Sequence, residues 1–457
     1  MRIECVNPAT GEIHHDYETM PPEEVQAVAA GCRAAFAHWS RLTVGERAPH
    51  FRRLAAVLRA GREAHARLMT VEMGKPIVEA RAEVEKCAWL CEVYADNAEA
   101  WLREEAVAAD GRRHLVVHEP LGTILSVMPW NFPYWQALRF AVPTLLAGNT
   151  SVLKHAANVP RCAQAIVASF AAAGFPPGVF GAVFADHAAV ADLVAGELIA
   201  GVSLTGSTEA GARIAAEAGR ALKKVVLELG GSVPFIVLED ADVEFAARNA
   251  VKGRTLNTGQ SCIAAKRFLV VRALAEPFQR RFAELMAALV VGDPLDEATQ
   301  VGPLVSEAAR LEIEAQVQDA VTRGARALCG GRRPDRPGFF YAPTLLAGVT
   351  PQMRAAQEEV FGPVAPVLVV EDEDEAVRLA NDSEFGLGGS VWTRDLARGE
   401  RVARRLEAGA TFVNSIVKSD PRLPFGGVKK SGLGRELSWH GLREFVNVKA
   451  VNVYDHG

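Results

Sequence analysis

The sequence predicts an α/β protein built on parallel sheets, and three observations carry that prediction. Between residues 114 and 238, short stretches rich in Val, Leu and Ile alternate with amphipathic segments. Apolar strands spaced by helices indicate a parallel sheet covered on both faces. A second alternating series runs from 242 to 414. At the end, EFVNVKAVNVY (444–454) has strand character but no neighbouring strand, so it is expected to pair with a distant element or another subunit.

The first hundred residues read as helices, because 22–38, 45–69 and 76–104 repeat apolar residues at three- and four-residue spacing. After Gly111 the pattern changes. HLVVHEP and GTILSVM (114–128) are β-rich and bounded by Pro and Gly, which predicts strands. The alternation then gives strand 151–154, helix 160–173, strands 178–184 and 201–206, helix 207–220, and strands 224–229 and 235–238. The second series gives helix 242–256, strand 267–271, helices 275–289 and 306–323, strand 364–370, helix 373–381, strand 389–393, helix 397–407 and strand 410–414. GGRRPDRPGFF (330–340) is the expected exposed loop.

Composition narrows the function classes. A chain of 457 residues is long enough for two or three domains. A net charge of −5 provides no basic excess for nucleic acid. No apolar run reaches membrane-spanning length, and MRIECVNPATGEIHHDYE lacks the apolar core of a secretory signal. The seven cysteines are odd in number and contain no CxxC pair, so neither a disulfide framework nor a metal site is expected, and a reducing cytoplasm is. Cys87 and Cys91, four apart on a predicted helix, share one face and read as packing.

Four stretches carry chemistry. In NTGQSCIAAKR (257–267), Cys262 follows small polar residues that would let a substrate approach its sulfur. In VVLELGGSVPFIVL (225–238), Glu228 ends an apolar strand before two glycines; desolvation there would raise its pKa toward the range of a general base. In MPWNFPYW (128–135), prolines fix the backbone around Trp130 and Asn131, whose amide could donate to an oxyanion. In SLTGSTEAGARI (203–214), a strand enters Gly206 and Ser207 could cap the next helix, a place for phosphate groups. Taken one at a time, each also admits a bland reading as packing, turn or solvated strand end.

Together, PWNFP, LTGSTEAG, LELGG, NTGQSC, EEVFGPV and PFGGVKKSGLGRE occur in the order found in the NAD(P)-dependent aldehyde dehydrogenases. The chain resembles that family over essentially its whole length. The resemblance implies a Rossmann-type cofactor domain (1–106 and 128–229), an α/β catalytic domain (230–432), and a small β oligomerisation extension (107–127 and 433–457). It implies that Cys262 attacks the aldehyde to form a thiohemiacetal, that Asn131 and the Cys262 N–H hold the oxyanion, and that Glu228 activates water against the thioester left after hydride transfer. For NAD or NADP it implies Lys154 at the adenine-side ribose, Trp130, Gly206, Ser207 and Gly211 along the pyrophosphate, and Glu359 and Phe361 at the nicotinamide ribose and ring. A homodimer or homotetramer is implied as well.

Within the family the chain most resembles the bacterial succinate semialdehyde dehydrogenases. By that match Arg139 and Ser419 would hold a distal carboxylate, arginine through its planar fork. The subfamily's second arginine is absent, its position being Leu256; Arg254 is a nearby stand-in. The glutamate that many NAD-preferring relatives carry three residues after the lysine is here Ala157, so NADP is not repelled, and His155 offers an additional donor. Use of both coenzymes is expected. The alternatives are a broad-specificity aliphatic or aromatic aldehyde dehydrogenase and, from a different class, a cofactor-free thiol esterase.

Overall fold

The computed structural model describes residues 1–455, so positions 456–457 of the terminal segment lie outside the described residues. Two largely parallel sheets form its centre. The first contains Thr123–Met128, Thr150–His155, Phe180–Val183, Gly201–Thr205 and Lys224–Glu228, with Gly432–Leu433 added antiparallel at one edge. Its inner strands are buried almost throughout, which explains their unbroken apolar character. Val127 pairs with Lys154 and Leu204, and Thr205 with Glu228. Met128, His155, Thr205 and Glu228 therefore end on one edge, and the turns leaving such an edge are where open α/β sheets bind ligands.

The second sheet aligns Thr344–Ala347, Val364–Val370, Ala265–Val271, Val233–Val237, Gly388–Trp392 and Ala410–Val413 in parallel, with Arg326–Cys329 antiparallel on its border. A third sheet joins Glu105–Val107, Arg113–Pro120 and Val446–Val453. The terminal strand thus has its partner in the same chain: it runs antiparallel to Arg113–Pro120, from Val446 opposite Pro120 to Val453 opposite Arg113. Of the segment 107–127 expected to form an extension, Arg113–Pro120 lies in this sheet. The chain turns at Gly122 (φ 145°), and Thr123–Met128 is an inner strand of the first sheet.

The predicted helix 45–69 is two helices, Val44–Ala60 and Arg62–Met73, meeting at Gly61, where a Cβ would lie 2.6 Å from His65 Nε2. The hairpin Arg2–Val6/Ile13–Glu18 and the helix His187–Ala195 carry no strong sequence period and were not anticipated. Cys87 and Cys91 are buried in the core, as expected. Helix Pro133–Leu146, which follows the Trp130–Asn131 turn, is buried on every side. Any charge on it needs a partner inside the protein. Among the described residues no helix is long and apolar enough to cross a membrane.

Candidate active site

Cys262 sits on the loop between helix Val243–Thr255 and strand Ala265–Val271. Asn257, Thr258 and Gly259 are consecutively left-handed, with φ of 54°, 57° and 76°. Residues with a Cβ resist this conformation by roughly 1 kcal/mol each, so the loop must be tied. Asn257 donates its N–H to Glu79 Oε2 (2.7 Å) and its Nδ2 to the carbonyls of Asn131 (2.7 Å) and Gln260 (3.1 Å). At Gly259 a Cβ would meet the Gly362 carbonyl oxygen at 2.4 Å, so glycine is required. Arg254 braces the same loop. It is fully buried and donates to the carbonyls of Ala265 (2.9 Å) and Gly259 (2.6 Å), which removes it as a substitute substrate-binding arginine.

The loop holds Cys262 half-buried where two cavities meet. A groove of about 230 Å³ is lined by Trp130, Thr205, Gly206, Ser207, Glu359 and Phe361, among others. A tunnel of about 210 Å³ is lined by Lys86, Trp135, Arg139, Leu256, Ser419 and Phe425, among others. Among the described residues only Cys262 and Gln136 line both. Burial pushes the thiol up to about 11; the Lys266 and Arg139 charges pull it down, and Glu359 and Glu228 oppose them. Asn131 donates one Nδ2 hydrogen to the Gln260 carbonyl (3.1 Å), which leaves its second free. The Cys262 N–H has no acceptor among the described residues. Both are unclaimed donors on residues that line one groove.

Glu228 is buried, and its carboxylate oxygens have no hydrogen-bond partner. Burial pushes it up to about 8, with Arg139 opposing and Glu436 adding to the rise. The carboxylate lines neither cavity. It lies against Gly426, where a Cβ would meet Oε1 at 2.9 Å. The base expected beside the thiol is thus set back from it, although its charge still raises the thiol pKa.

The groove is framed by Trp130, edge-on to Phe361 with ring centroids 5.9 Å apart. Glu359 Oε1 accepts from Lys266 Nζ (2.7 Å) and the Gly231 N–H (3.1 Å). Lys266 is buried and also donates to the carbonyls of Gly231 (2.7 Å) and Cys262 (2.9 Å). It ties the thiol loop, the glycine turn and Glu359 together, a role that its place four residues after the thiol did not reveal.

Ser207 Oγ accepts from the Ala210 N–H (3.3 Å) and caps helix Thr208–Arg220, whose N-terminus opens at the groove. Thr205 Oγ1, in the groove wall, is buried without a partner. A Cβ on Gly230 would meet Glu359 Oε2 at 2.6 Å. An open helix N-terminus, an unpartnered hydroxyl and a floor kept low by glycine fit the phosphates of NAD or NADP. Gly211 stands apart from this wall. A Cβ there would strike Leu229 Cδ2 at 2.5 Å, so the glycine lets the helix approach Leu229. Lys154 is half-buried near the end of strand Thr150–His155, outside the groove lining, and burial lowers its pKa. His155 is not free to serve as a donor: Nε2 contacts the Pro133 carbonyl (2.9 Å) and Nδ1 accepts the Ala156 N–H (2.9 Å). Burial pushes this ring down to about 4, so it stays neutral. Ala157 is exposed, and its carbonyl accepts the Tyr17 hydroxyl (3.0 Å).

In the tunnel, Arg139 is in the wall, as expected from its position. Its guanidinium is buried in an ion pair with Glu436 and lies 4.7 Å from the Phe425 ring centroid. Ser419 Oγ accepts from Lys86 Nζ at 2.7 Å, and that ammonium lies 4.1 Å from the Trp135 ring centroid. Lys86 was not singled out from the sequence; its helical setting among Glu83, Glu85 and Glu92 resembles a solvated charged face.

The aldehyde dehydrogenase family profile matches residues 1–451. The NAD(P)-dependent succinate semialdehyde dehydrogenase of Escherichia coli is 48% identical over 446 residues, covering 98% of this chain and 96% of that one. An NADP-dependent succinate-semialdehyde dehydrogenase of Mycobacterium tuberculosis is 47% identical over 459 residues, covering 99% of both. Among solved structures, the Streptococcus pyogenes succinic semialdehyde dehydrogenase in complex with NADP⁺ superposes with a TM-score of 0.96 at 36% identity, covering 99% of this chain and 100% of that one. The Burkholderia pseudomallei succinate-semialdehyde dehydrogenase gives 0.97 at 36% identity, covering 100% and 95%.

Proposed function

Because this chain belongs to the aldehyde dehydrogenase family, we propose that it oxidises succinate semialdehyde, or a similarly short aldehyde carrying a distal carboxylate, to the acid with NAD or NADP. The observation that carries this reading is the tunnel. The passage that reaches the Cys262 thiol is also lined by Lys86, Lys418, Arg139 and the Ser419 hydroxyl. The two carboxylates in its wall are engaged elsewhere, Glu79 by the Asn257 N–H and Glu83 by Lys75 and the Tyr134 and Trp135 N–H groups. The names of the relatives point to the same substrate.

The thiol gives up its proton to solvent water, and the Cys262 sulfur bonds to the aldehyde carbon as the carbonyl π electrons move onto the oxygen. The second Asn131 amide hydrogen and the Cys262 N–H receive the oxygen as it becomes negative. Trp130, the Gly206–Ser207 turn, Glu359 and Phe361 would hold NAD or NADP, which would supply the hydride acceptor for oxidation of the thiohemiacetal to a thioester. Glu228 then turns from Gly426 toward the thiol loop and takes a proton from the water that hydrolyses the thioester. Lys266 keeps Glu359 and the thiol loop in fixed relation throughout.

The coenzyme-binding part is assigned to 1–106 and 123–229 and the thiol-bearing part to 230–432. The three-stranded sheet is assigned to homo-oligomer formation, with Val448 and Val453 exposed on its terminal strand. The test of function is a panel of succinate semialdehyde, butanal and benzaldehyde with each coenzyme. A kcat/KM for succinate semialdehyde at least about tenfold above butanal, worth about 1.4 kcal/mol, supports the reading. Equal values favour a broad-specificity enzyme, and product formed without coenzyme favours a thiol esterase.

A further inference from the structure

Of the three cations lining the tunnel among the described residues, Lys418 is exposed, and Arg139 and Lys86 differ in whether a carboxylate already faces them. The Arg139 guanidinium is paired with Glu436, whose backbone is fixed by reciprocal hydrogen bonds with Phe425 (both 2.7 Å). The Arg139 charge is thus shared with Glu436, while its Nε and Nη2 have no hydrogen-bond partner. Lys86 has no carboxylate within ion-pair distance among the described residues. The charges that act on it include Arg139, Glu83 and Asp420; Glu83 is paired with Lys75, and Asp420 with Arg422. The ammonium rests over Trp135 and gives one hydrogen to Ser419 Oγ. Because Ser419 Oγ accepts that bond, its own O–H remains to donate. An ammonium and a hydroxyl thus offer donors to one small anion on the tunnel wall, and burial of Lys86 would strengthen the contact.

We propose that Lys86 is a further specificity-determining residue for the distal carboxylate, acting with the Ser419 hydroxyl beside Arg139. This rests on the reading of the substrate as a carboxylated aldehyde. The sequence neighbourhood allows the role: Lys86 lies on helix Ile77–Trp101, whose Glu79 anchors the thiol loop and whose Glu83 holds the start of helix Pro133–Leu146. One helix therefore touches the thiol loop, the oxyanion turn and the carboxylate site.

The test measures kcat/KM for succinate semialdehyde and for butanal on the same preparations of wild type, Lys86→Met and Lys86→Arg, with succinate as a competitive inhibitor of butanal oxidation. In Lys86→Met the succinate semialdehyde/butanal ratio should fall at least about tenfold and the succinate Ki should rise by a similar factor, equal to about 1.4 kcal/mol. Lys86→Arg should recover much of both. Coenzyme binding by fluorescence, together with butanal turnover, identifies a variant that failed to fold, and Lys86→Gln then replaces it. A ratio and a Ki unmoved in a folded Lys86 variant overturn the proposal while leaving the substrate reading intact. A wild type without preference for succinate semialdehyde overturns the substrate reading and this proposal with it.

Discussion

Lys266 Nζ donates to Glu359 Oε1 at 2.7 Å from a fully buried position, joining the strand that follows the thiol to the residue assigned to the nicotinamide ribose. The same ammonium holds the Cys262 and Gly231 carbonyls. Lys266→Met should therefore leave a carboxylate and two carbonyls without their donor. The expected cost is about 3 kcal/mol of stability, from breaking a buried pair by removal of one partner. Denaturant unfolding measures it. A midpoint unchanged from wild type would show that Lys266 is not the tie described.

Asn131→Ala removes one of the two proposed oxyanion donors and the Nδ2 bond to the Gln260 carbonyl, while the Asn131 carbonyl that Asn257 uses is backbone and remains. A fall in kcat of about 10²–10³ is expected, the usual effect of deleting one such donor. Steady-state kinetics with thermal unfolding as control checks it, and a loss below about threefold would remove Asn131 from the oxyanion role.

Glu228 sets a pH dependence. Its pKa is raised to about 8 by burial, and only the carboxylate form accepts a proton from water. Hydrolysis of the thioester should therefore rise with pH until about 8 and then level off. Glu228→Gln should lower kcat by roughly 10²–10⁴ and abolish that limb. A variant that keeps the wild-type profile would assign the limb to another group.

Lys86 sets the opposite dependence, on binding. Burial, with Arg139 adding, lowers its pKa to about 8, and a carboxylate is held only by the ammonium. Glu83, Asp420 and Cys87 oppose the fall, and Glu79, Lys418 and Cys262 complete the ionisable lining of that tunnel. The ratio of kcat/KM for succinate semialdehyde to that for butanal should fall as pH passes upward through about 8. Dividing by butanal cancels the titrations of Cys262 and Glu228. A flat ratio would separate Lys86 from the carboxylate.

Ala157 leaves the coenzyme end without a carboxylate, so both coenzymes should work and the kcat/KM ratio of NAD over NADP should stay below about a thousandfold. Ala157→Glu should shift that ratio toward NAD by at least about tenfold through repulsion of the 2′-phosphate. No shift would mean that position 157 does not face the phosphate.

What the sequence revealed follows from where constraints are local. The thiol loop is legible because left-handed backbone at Asn257–Gly259 and close approach to Gly362 leave few residue choices. The alternating strands are legible because burial on both faces demands apolar runs. The pairing of Arg139 with Glu436, the retreat of Glu228 to Gly426 and the reach of Lys86 to Ser419 were not legible, since each joins residues distant in the chain through the fold. His155 looked like a free donor until its two nitrogens met Pro133 and Ala156. The early break at Gly61 escaped because the apolar period continues across it.

The most direct measurement is mass spectrometry of the Glu228→Gln variant quenched after mixing with succinate semialdehyde and coenzyme. The expected result is one succinyl group on the peptide that contains Cys262, formed only when coenzyme is present. An unmodified Cys262 while a Cys262→Ser variant still turns over would contradict covalent catalysis at this thiol.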